Sequence, residues 1–262
     1  MEFKQYIKSR RGIITTIIYF LIVCLYIVDV TFFPKFEEIY LLQNFFTSTS
    51  PETSMKYAML LLWFLPVWLY QIYIYVIQTE FNKKYDNLII SKVGSKKYYL
   101  KKIFSAFYIV FLIMFTLCIL SIFVTYLCGY ITGIDLKIDL IAYHGKEILV
   151  NNNLGAQYEL LHPLASLIFH YLILAFSAGI LASVMTSLTF IFKNMKVTLC
   201  LSLILWYYFV SSTKFNIMIV IQPFIYFEYS LVYSLITIVV FSIIAVLINV
   251  VAYIYISRRD NV

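Results

Sequence analysis

The stretch IFSAFYIVFLIMFTLCILSIFVTYLC, residues 103–128, decides the fold class of this chain. It runs for 26 residues without a charged side chain. A helix needs about 20 consecutive apolar residues to cross the hydrocarbon core of a bilayer. The strands of a membrane β-barrel would instead be short segments of alternating polarity. The stretch therefore predicts a membrane-spanning α-helix.

Five further apolar runs flank this stretch, and together they predict an all-α polytopic membrane protein with six transmembrane helices. The predicted spans cover about residues 12–33, 55–78, 103–128, 165–192, 197–210 and 230–256. The composition agrees, since 13% of the residues are charged, against about a quarter in soluble domains. We interpret residues 1–262 as a single transmembrane domain with one long polar outer segment, residues 129–163.

The positive charges predict the orientation of the chain. If both termini are cytoplasmic, fifteen of the twenty lysines and arginines lie inside and five lie outside. Such a bias toward the cytoplasmic side sets the topology of membrane proteins. The net charge of +7 is then a basic face toward anionic membrane lipids, and not a surface for nucleic acid. Phe3, Tyr6 and Ile7 stand at helical spacing among the basic residues of 2–11, which predicts a short interfacial helix before the first span. The alternative is a frayed basic terminus.

The stretch EFNKKYDNLIISKVGSKKYYLKKIF, residues 80–104, leads into the uncharged run at 103–128 and contains seven lysines. Its apolar residues recur at the spacing of one helical face: Phe81, Tyr85, Leu88 and Ile89. This pattern predicts a short amphipathic helix between the second and third spans. Val93, Gly94 and Ser95 should end it, with Ser95 as the N-cap of the next helix. A loop held inside by charge alone needs no apolar stripe, so we predict that this one also docks a partner.

The second predicted span carries uncharged polar residues at helical spacing. They are Gln71, Tyr75 and Gln78. We interpret them as candidates to line a path for an amphipathic cargo. The alternative is that the aromatic residues around them form ordinary interfacial belts.

The fourth predicted span carries two rows of small residues spaced four apart. The rows are Ala175, Gly179, Ser183 and Ala178, Ala182, Thr186. Small residues allow membrane helices to approach closely, and we predict that these rows pack within one protomer.

Catalytic and metal-binding patterns are missing from the sequence. It has no phosphate loop, no dinucleotide fingerprint and no zinc-protease motif, and its four cysteines lack metal-ligand spacing. Asp29 and His170 are the ionisable residues within the apolar runs, and we expect them to be interfacial or hydrogen-bonded and not proton carriers. We therefore predict no enzymatic activity, no metal and no cofactor in this chain alone.

This layout resembles the membrane subunit of ABC transporters of the ABC-2, or type V exporter, class. That family has six spans, both termini inside, an N-terminal interfacial helix, a cytoplasmic coupling helix after span two and re-entrant helices before the last span. The matching pieces are EFKQYIKSRR (2–11), residues 80–104 and KFNIMIVIQPFIYFEY (214–229). Residues 129–163 depart from the family, which has a tight outer turn there.

Within residues 80–104 the resemblance rests on a loose motif. Glu80 stands where the family has an acid after span two, and Leu88–Ile90 stand where it has a short apolar helix. Gly94–Ser95 and Lys101–Lys102 take the places of its small residues and its basic residues. Through this match the resemblance implies a set of docking residues for an ATP-binding subunit. They are Glu80, Phe81, Lys83, Lys84, Tyr85, Leu88, Ile89 and Lys92.

The resemblance also implies a function. The chain would be the permease of a bacterial cell-membrane exporter, paired with a second copy or a paralogue, with ATP and Mg on a separate subunit. The cargo would be lipophilic or amphipathic, such as a peptide or bacteriocin, a lipid or a hydrophobic drug. One alternative is a non-transport immunity or sensor protein that binds a peptide on its outer face. Another is a lipid-acting membrane enzyme, for which the candidate residues are His144, Glu147, Glu159 and His162.

Overall fold

The computed structural model describes residues 6–7, 9–32, 55–82, 85–133, 162–222 and 231–259, and every regular element within these ranges is helical. The α-helices are α1 (Arg10–Phe32), α2 (Met55–Ala58), α3 (Leu65–Leu69), α4 (Tyr75–Asn82), α5 (Tyr85–Val93), α6 (Ser95–Thr132), α7 (Pro163–Phe192), α8 (Met195–Ser211), α9 (Ile217–Ile221) and α10 (Leu231–Arg259). The predicted all-α class is confirmed for these residues.

Four helices of the described chain are long and apolar enough to cross a membrane. These spans are Arg10–Asp29, Ser95–Thr132, Leu164–Phe192 and Val232–Arg258. They coincide with the first, third, fourth and sixth predicted spans. The fifth predicted span corresponds to α8, an apolar helix of 17 residues. The chain therefore has the helices of a membrane protein, and the six-span count stays a prediction.

The second predicted span is not one regular helix. Two π-helical turns, Met59–Trp63 and Tyr70–Ile74, separate α2, α3 and α4. The first lies just before Pro66, which sits in the first turn of α3. Proline has no backbone N–H and its ring clashes with the carbonyl four residues earlier, so regular α-helix cannot run through this point. We refer to residues 55–82 as the segmented helix.

Helix α7 forms the centre of the described bundle. In its most apolar window 78% of the residues are buried, against at most 33% in the other three spans. Both predicted rows of small residues are buried. A Cβ at Gly179 would lie 3.0 Å from the Phe107 carbonyl oxygen and 3.0 Å from its ring. Gly179 therefore packs α7 against α6, and both rows are buried within the chain, as predicted.

This close approach makes a graded substitution series informative. Gly179→Ala should lower the free energy of unfolding, and Gly179→Leu should lower it further, by about 1–3 kcal/mol relative to the wild type. Added carbons in a packed interface force the neighbouring groups to shift. Thermal unfolding of the purified variants in mild detergent measures this order. Equal unfolding temperatures for the leucine variant and the wild type would contradict the α6–α7 contact.

Two helix ends differ from their predicted positions. Gly94 (φ 84°) is the N-cap of α6 and Ser95 is already helical, so the N-cap prediction for Ser95 was wrong. A positive φ suits glycine because it has no Cβ. At the other end α6 continues past Cys128 to Thr132, where Gly133 (φ 68°) ends it in the left-handed conformation. Residues 134–161, most of the predicted outer segment, lie outside the described residues.

The segment between α8 and α10 contains the short buried helix α9. The Asn216 side chain caps it by accepting hydrogen bonds from the backbone N–H groups of Met218 and Ile219. His170 of α7 is buried and its Nδ1 lies 3.0 Å from the Val220 carbonyl oxygen. The prediction that His170 is hydrogen-bonded is thus confirmed. The re-entrant hairpin stays a prediction, because residues 223–230 lie outside the described residues.

The predicted N-terminal interfacial helix falls mostly on residues 1–5 and 8, which lie outside the described part of the chain. Tyr6 is described and buried, and its hydroxyl lies 2.8 Å from Thr16 Oγ1 on α1. Tyr6 is therefore attached to the second turn of that helix.

Candidate functional site: a basic hairpin with a buried ion pair

A helix is present after the second predicted span as α5, which runs from Tyr85 to Val93. It follows α4 and precedes α6, and the single residue Gly94 separates it from α6. Phe81, the first residue of the predicted apolar stripe, lies instead on α4. We call residues 80–104 the basic hairpin. Its helix confirms the prediction of local structure, while its role in docking is a separate question.

A buried ion pair closes the base of the basic hairpin. The Lys102 ammonium donates to Glu80 Oε1 at 2.9 Å and lies 2.8 Å from Oε2. Lys102 is 1% exposed and Glu80 is 8% exposed. The Tyr98 hydroxyl donates to Glu80 Oε2 at 2.9 Å. Tyr98 and Lys102 are four residues apart on α6, so they share one face of that helix and hold the end of α4 against it.

The two charges are compatible with burial because both carboxylate oxygens are hydrogen-bonded. An ion taken out of water loses several kcal/mol of hydration, and the loss is offset only when the partner geometry is good and the remaining lone pairs are satisfied. Here the ammonium and the phenol supply those contacts. The ion pair therefore fixes one geometry of the basic hairpin, and either partner alone would be an uncompensated charge.

The end of α4 is also attached to the end of α7. Phe81 is buried and its ring centroid lies 4.9 Å from that of Phe190, edge to face. The Gln78 amide nitrogen donates to the Lys193 carbonyl oxygen at 3.0 Å. The Lys193 ammonium lies 5.5 Å from the centre of the Phe81 ring. Three elements, α4, α6 and α7, are thus joined at this point.

The predicted docking residues differ in whether a partner can reach them. Glu80 and Phe81 are buried, so a partner cannot contact them in this conformation. They support the basic hairpin from within. Ile89 is half-buried and packs against the core, whereas Lys92 is exposed. Tyr85 and Leu88 belong to α5, and only their backbone is described; Lys83 and Lys84 lie outside the described residues.

The predicted pathway residues do not share one environment. Gln71 and Tyr75 are half-buried, and the Arg11 guanidinium lies 4.2 Å from the centre of the Tyr75 ring. Gln78 is 5% exposed and engaged with Lys193. Gln71 itself lies within the π-helical turn Tyr70–Ile74, which directly precedes Tyr75, so the regular α-helical spacing assumed for the stripe does not apply. A cargo path along these residues stays a prediction.

A polar cluster that the sequence analysis did not single out joins α6, α7 and α10. The Tyr99 hydroxyl donates to the Asn249 carbonyl oxygen at 2.8 Å and lies 3.0 Å from Ser187 Oγ. The Asn249 amide nitrogen donates to Ser183 Oγ at 3.2 Å. The available signal was Asn249 itself, since an amide within an apolar span usually finds a partner on another helix.

Positive charge dominates the surface around the basic hairpin. The exposed basic residues there are Arg10, Arg11, Lys92, Lys96, Lys97, Lys101, Lys193, Lys196 and Arg258. Glu80 is the one acidic side chain that the structure describes at this end, and it is buried against Lys102. We call this surface the basic end of the bundle. No group of three metal-ligating residues occurs within the described parts of the chain.

The described chain thus defines a class: a helical membrane protein with a fixed basic hairpin at one end. A comparison with known proteins finds a relative that aligns over most of both chains. The "Uncharacterized protein YybM" of Bacillus subtilis (strain 168) is similar, with 25% identity over 203 residues, which cover 77% of this chain and 78% of that protein. No protein-family model matches the sequence, and no solved structure matches it.

Proposed function

We propose that this chain is the membrane-spanning permease subunit of an ATP-driven exporter of the ABC-2 type. In this proposal it crosses the bacterial cell membrane six times with both termini in the cytoplasm. A separate subunit binds ATP and Mg, and a second permease copy or a paralogue completes the pathway. The observation that carries the proposal is the basic hairpin, which is fixed at its base and exposed at its tip.

The tip of the basic hairpin suits the docking of a protein. Val93 is 47% exposed at the turn, with the exposed lysines Lys92 and Lys96 on either side of it. An apolar knob with a charged rim combines a surface to bury with charges that steer a partner of opposite sign. The buried base keeps this tip in one conformation, so little conformational entropy is lost when the partner binds.

The contacts behind the tip suit the transmission of movement. A docked subunit that shifts α5 also acts on α6, because one residue separates the two helices. The Glu80–Lys102 ion pair connects α6 to α4. The polar cluster around the Tyr99 hydroxyl connects α6 to α7 and α10. Exporters switch between two packed arrangements of such helices. The cargo that we propose is lipophilic or amphipathic, because the apolar spans offer few charges to an ion.

The proposal predicts that charge reversal at the tip releases the partner. Tagged protein carrying Lys92→Glu and Lys96→Glu should retain at most about a tenth of the associated ATP-binding subunit, the equivalent of about 1.4 kcal/mol. Purification from mild detergent, identification of the co-purified chains and an ATPase assay measure this. The matched control is Lys56→Glu with Lys214→Glu, since both lysines are exposed and lie outside the basic hairpin. The control should keep the partner.

A pure protein without ATPase activity after gentle extraction would contradict the proposal. So would a wild-type level of partner on the doubly reversed variant. The first result would favour the alternative, an immunity or sensor protein that binds a peptide on its outer face without a nucleotide-binding subunit. The second would show that the tip of the basic hairpin does not dock the subunit.

A further inference from the structure

Exposed apolar side chains form one stripe along α6. Phe104 is 69% exposed, Tyr108 is 61% exposed and Leu112 is 38% exposed. They are four residues apart, so they lie on the same face of the helix. In a spanning helix such large side chains face lipid tails, and the stripe marks the lipid-facing side of α6.

Two lysines continue this stripe beyond Phe104. Lys97 and Lys101 are exposed, and they precede Phe104 by seven and three residues on the same face. Lys102, the next residue, is turned by about 100° around the helix and enters the ion pair with Glu80. Within the described residues neither Lys97 nor Lys101 has an ion-pair or hydrogen-bond partner. The stripe therefore ends in two cations that no described carboxylate neutralises.

The depth of these lysines follows from helix geometry. Lys101 lies about 4.5 Å along the axis from Phe104, and Lys97 lies about 6 Å further. Phe104 belongs to the lipid-facing stripe, so both lysines are at the height of the phospholipid headgroups. Lysine stems run along apolar surface while their ammonium groups reach toward polar surroundings.

We propose that Lys97 and Lys101 bind the headgroup phosphate of an anionic phospholipid, with one acyl chain lying along Phe104, Tyr108 and Leu112. Two cations one helical turn apart, which have no ion-pair partner among the described residues, complement the negative charge of a phosphate. A zwitterionic lipid brings its own ammonium group, which the lysines repel. The site is independent of the proposed function, since it faces lipid and the docking tip is formed by Lys92, Val93 and Lys96.

The test compares lipid binding by two variants that lose the same charge. Lys97→Gln with Lys101→Gln removes the proposed site, and Lys92→Gln with Lys96→Gln removes two lysines from the tip. Native mass spectrometry of the full-length protein in detergent, titrated with phosphatidylglycerol, measures the bound lipid. The site variant should bind about 25-fold more weakly than the wild type, roughly fivefold for each lysine. The tip variant should bind like the wild type.

Two further probes separate the source of the phosphate. Phosphatidylcholine should bind equally weakly to all three proteins, because the preference is for net negative charge. Glycerol phosphate, which has the anionic group and no tail, should not compete. Equal phosphatidylglycerol binding by the site variant and the wild type would overturn the proposal. Equal losses in both variants would indicate general charge attraction, and full competition by glycerol phosphate would indicate a soluble anion site. Either of these results would also overturn it.

Discussion

Replacing Lys102 by methionine should lower the free energy of unfolding by about 3–5 kcal/mol, because the Glu80 carboxylate then stays buried without its cation. Methionine keeps an unbranched apolar side chain in the space that Lys102 fills. Thermal unfolding in lipid-free detergent, followed by size-exclusion chromatography with fluorescence detection, measures the loss. The same variant should also lose the partner subunit, since the base of the basic hairpin is no longer fixed.

The control for this result stands at the adjacent position. Lys101 is exposed, so Lys101→Met should change stability by about 0.5 kcal/mol or less. Adding Glu80→Gln to Lys102→Met should restore most of the stability, because no uncompensated charge is then buried. A double variant as unstable as Lys102→Met, or an equal effect at Lys101, would show that the ion pair does not hold the basic hairpin.

Replacing Trp206 by alanine should cost about 3–5 kcal/mol, the range for large aromatic residues in a core. Trp206 is fully buried, and its indole N–H donates to the Leu62 carbonyl oxygen at 2.8 Å. Residue 66 would donate to this carbonyl in a regular helix, but it is a proline and has no N–H. Trp206 on α8 thus supplies the hydrogen bond that Pro66 cannot make.

Two milder substitutions test this explanation. Trp206→Phe keeps most of the ring but removes the donor, and it should cost about 1–3 kcal/mol. Trp63→Phe is the matched control, since the Trp63 indole is half-buried and donates to no described carbonyl; it should cost less. Pro66→Ala restores an N–H four residues after Leu62, so it should recover part of the loss in Trp206→Phe. Additive losses in the double variant would contradict the explanation.

Local patterns predicted the parts of the fold that depend on neighbouring residues. The uncharged run at 103–128 predicted the long helix α6, and the positive φ at Gly94 matches the predicted break after α5. The small residues around Gly179 predicted the close packing of α7. In each of these cases the cause lies within one or two turns of the chain, where sequence spacing is informative.

The burial of Glu80 and Lys102 could not be predicted from spacing. Both residues stand among surface lysines, and their side chains meet only because two helices pack across a separation of 22 residues. The hydrogen bond from Trp206 to Leu62 crosses 144 residues. Pro66 indicated a break in the second span, but the donor that compensates for it belongs to another helix. Contacts of this range depend on the packing of the whole bundle.

The length of α6 has a mechanical consequence. Its 38 residues form an uninterrupted rod of about 57 Å, nearly twice the thickness of a hydrocarbon layer of about 30 Å. The rod is clamped near one end by Lys102, and its far end is free of a hinge until Gly133. From Lys102 to Thr132 the arm is about 45 Å at a rise of about 1.5 Å per residue, so a tilt of about 5° at the clamp moves the far end by about 4 Å. A small tilt beside the basic hairpin would therefore appear as a larger displacement at the opposite end of the helix.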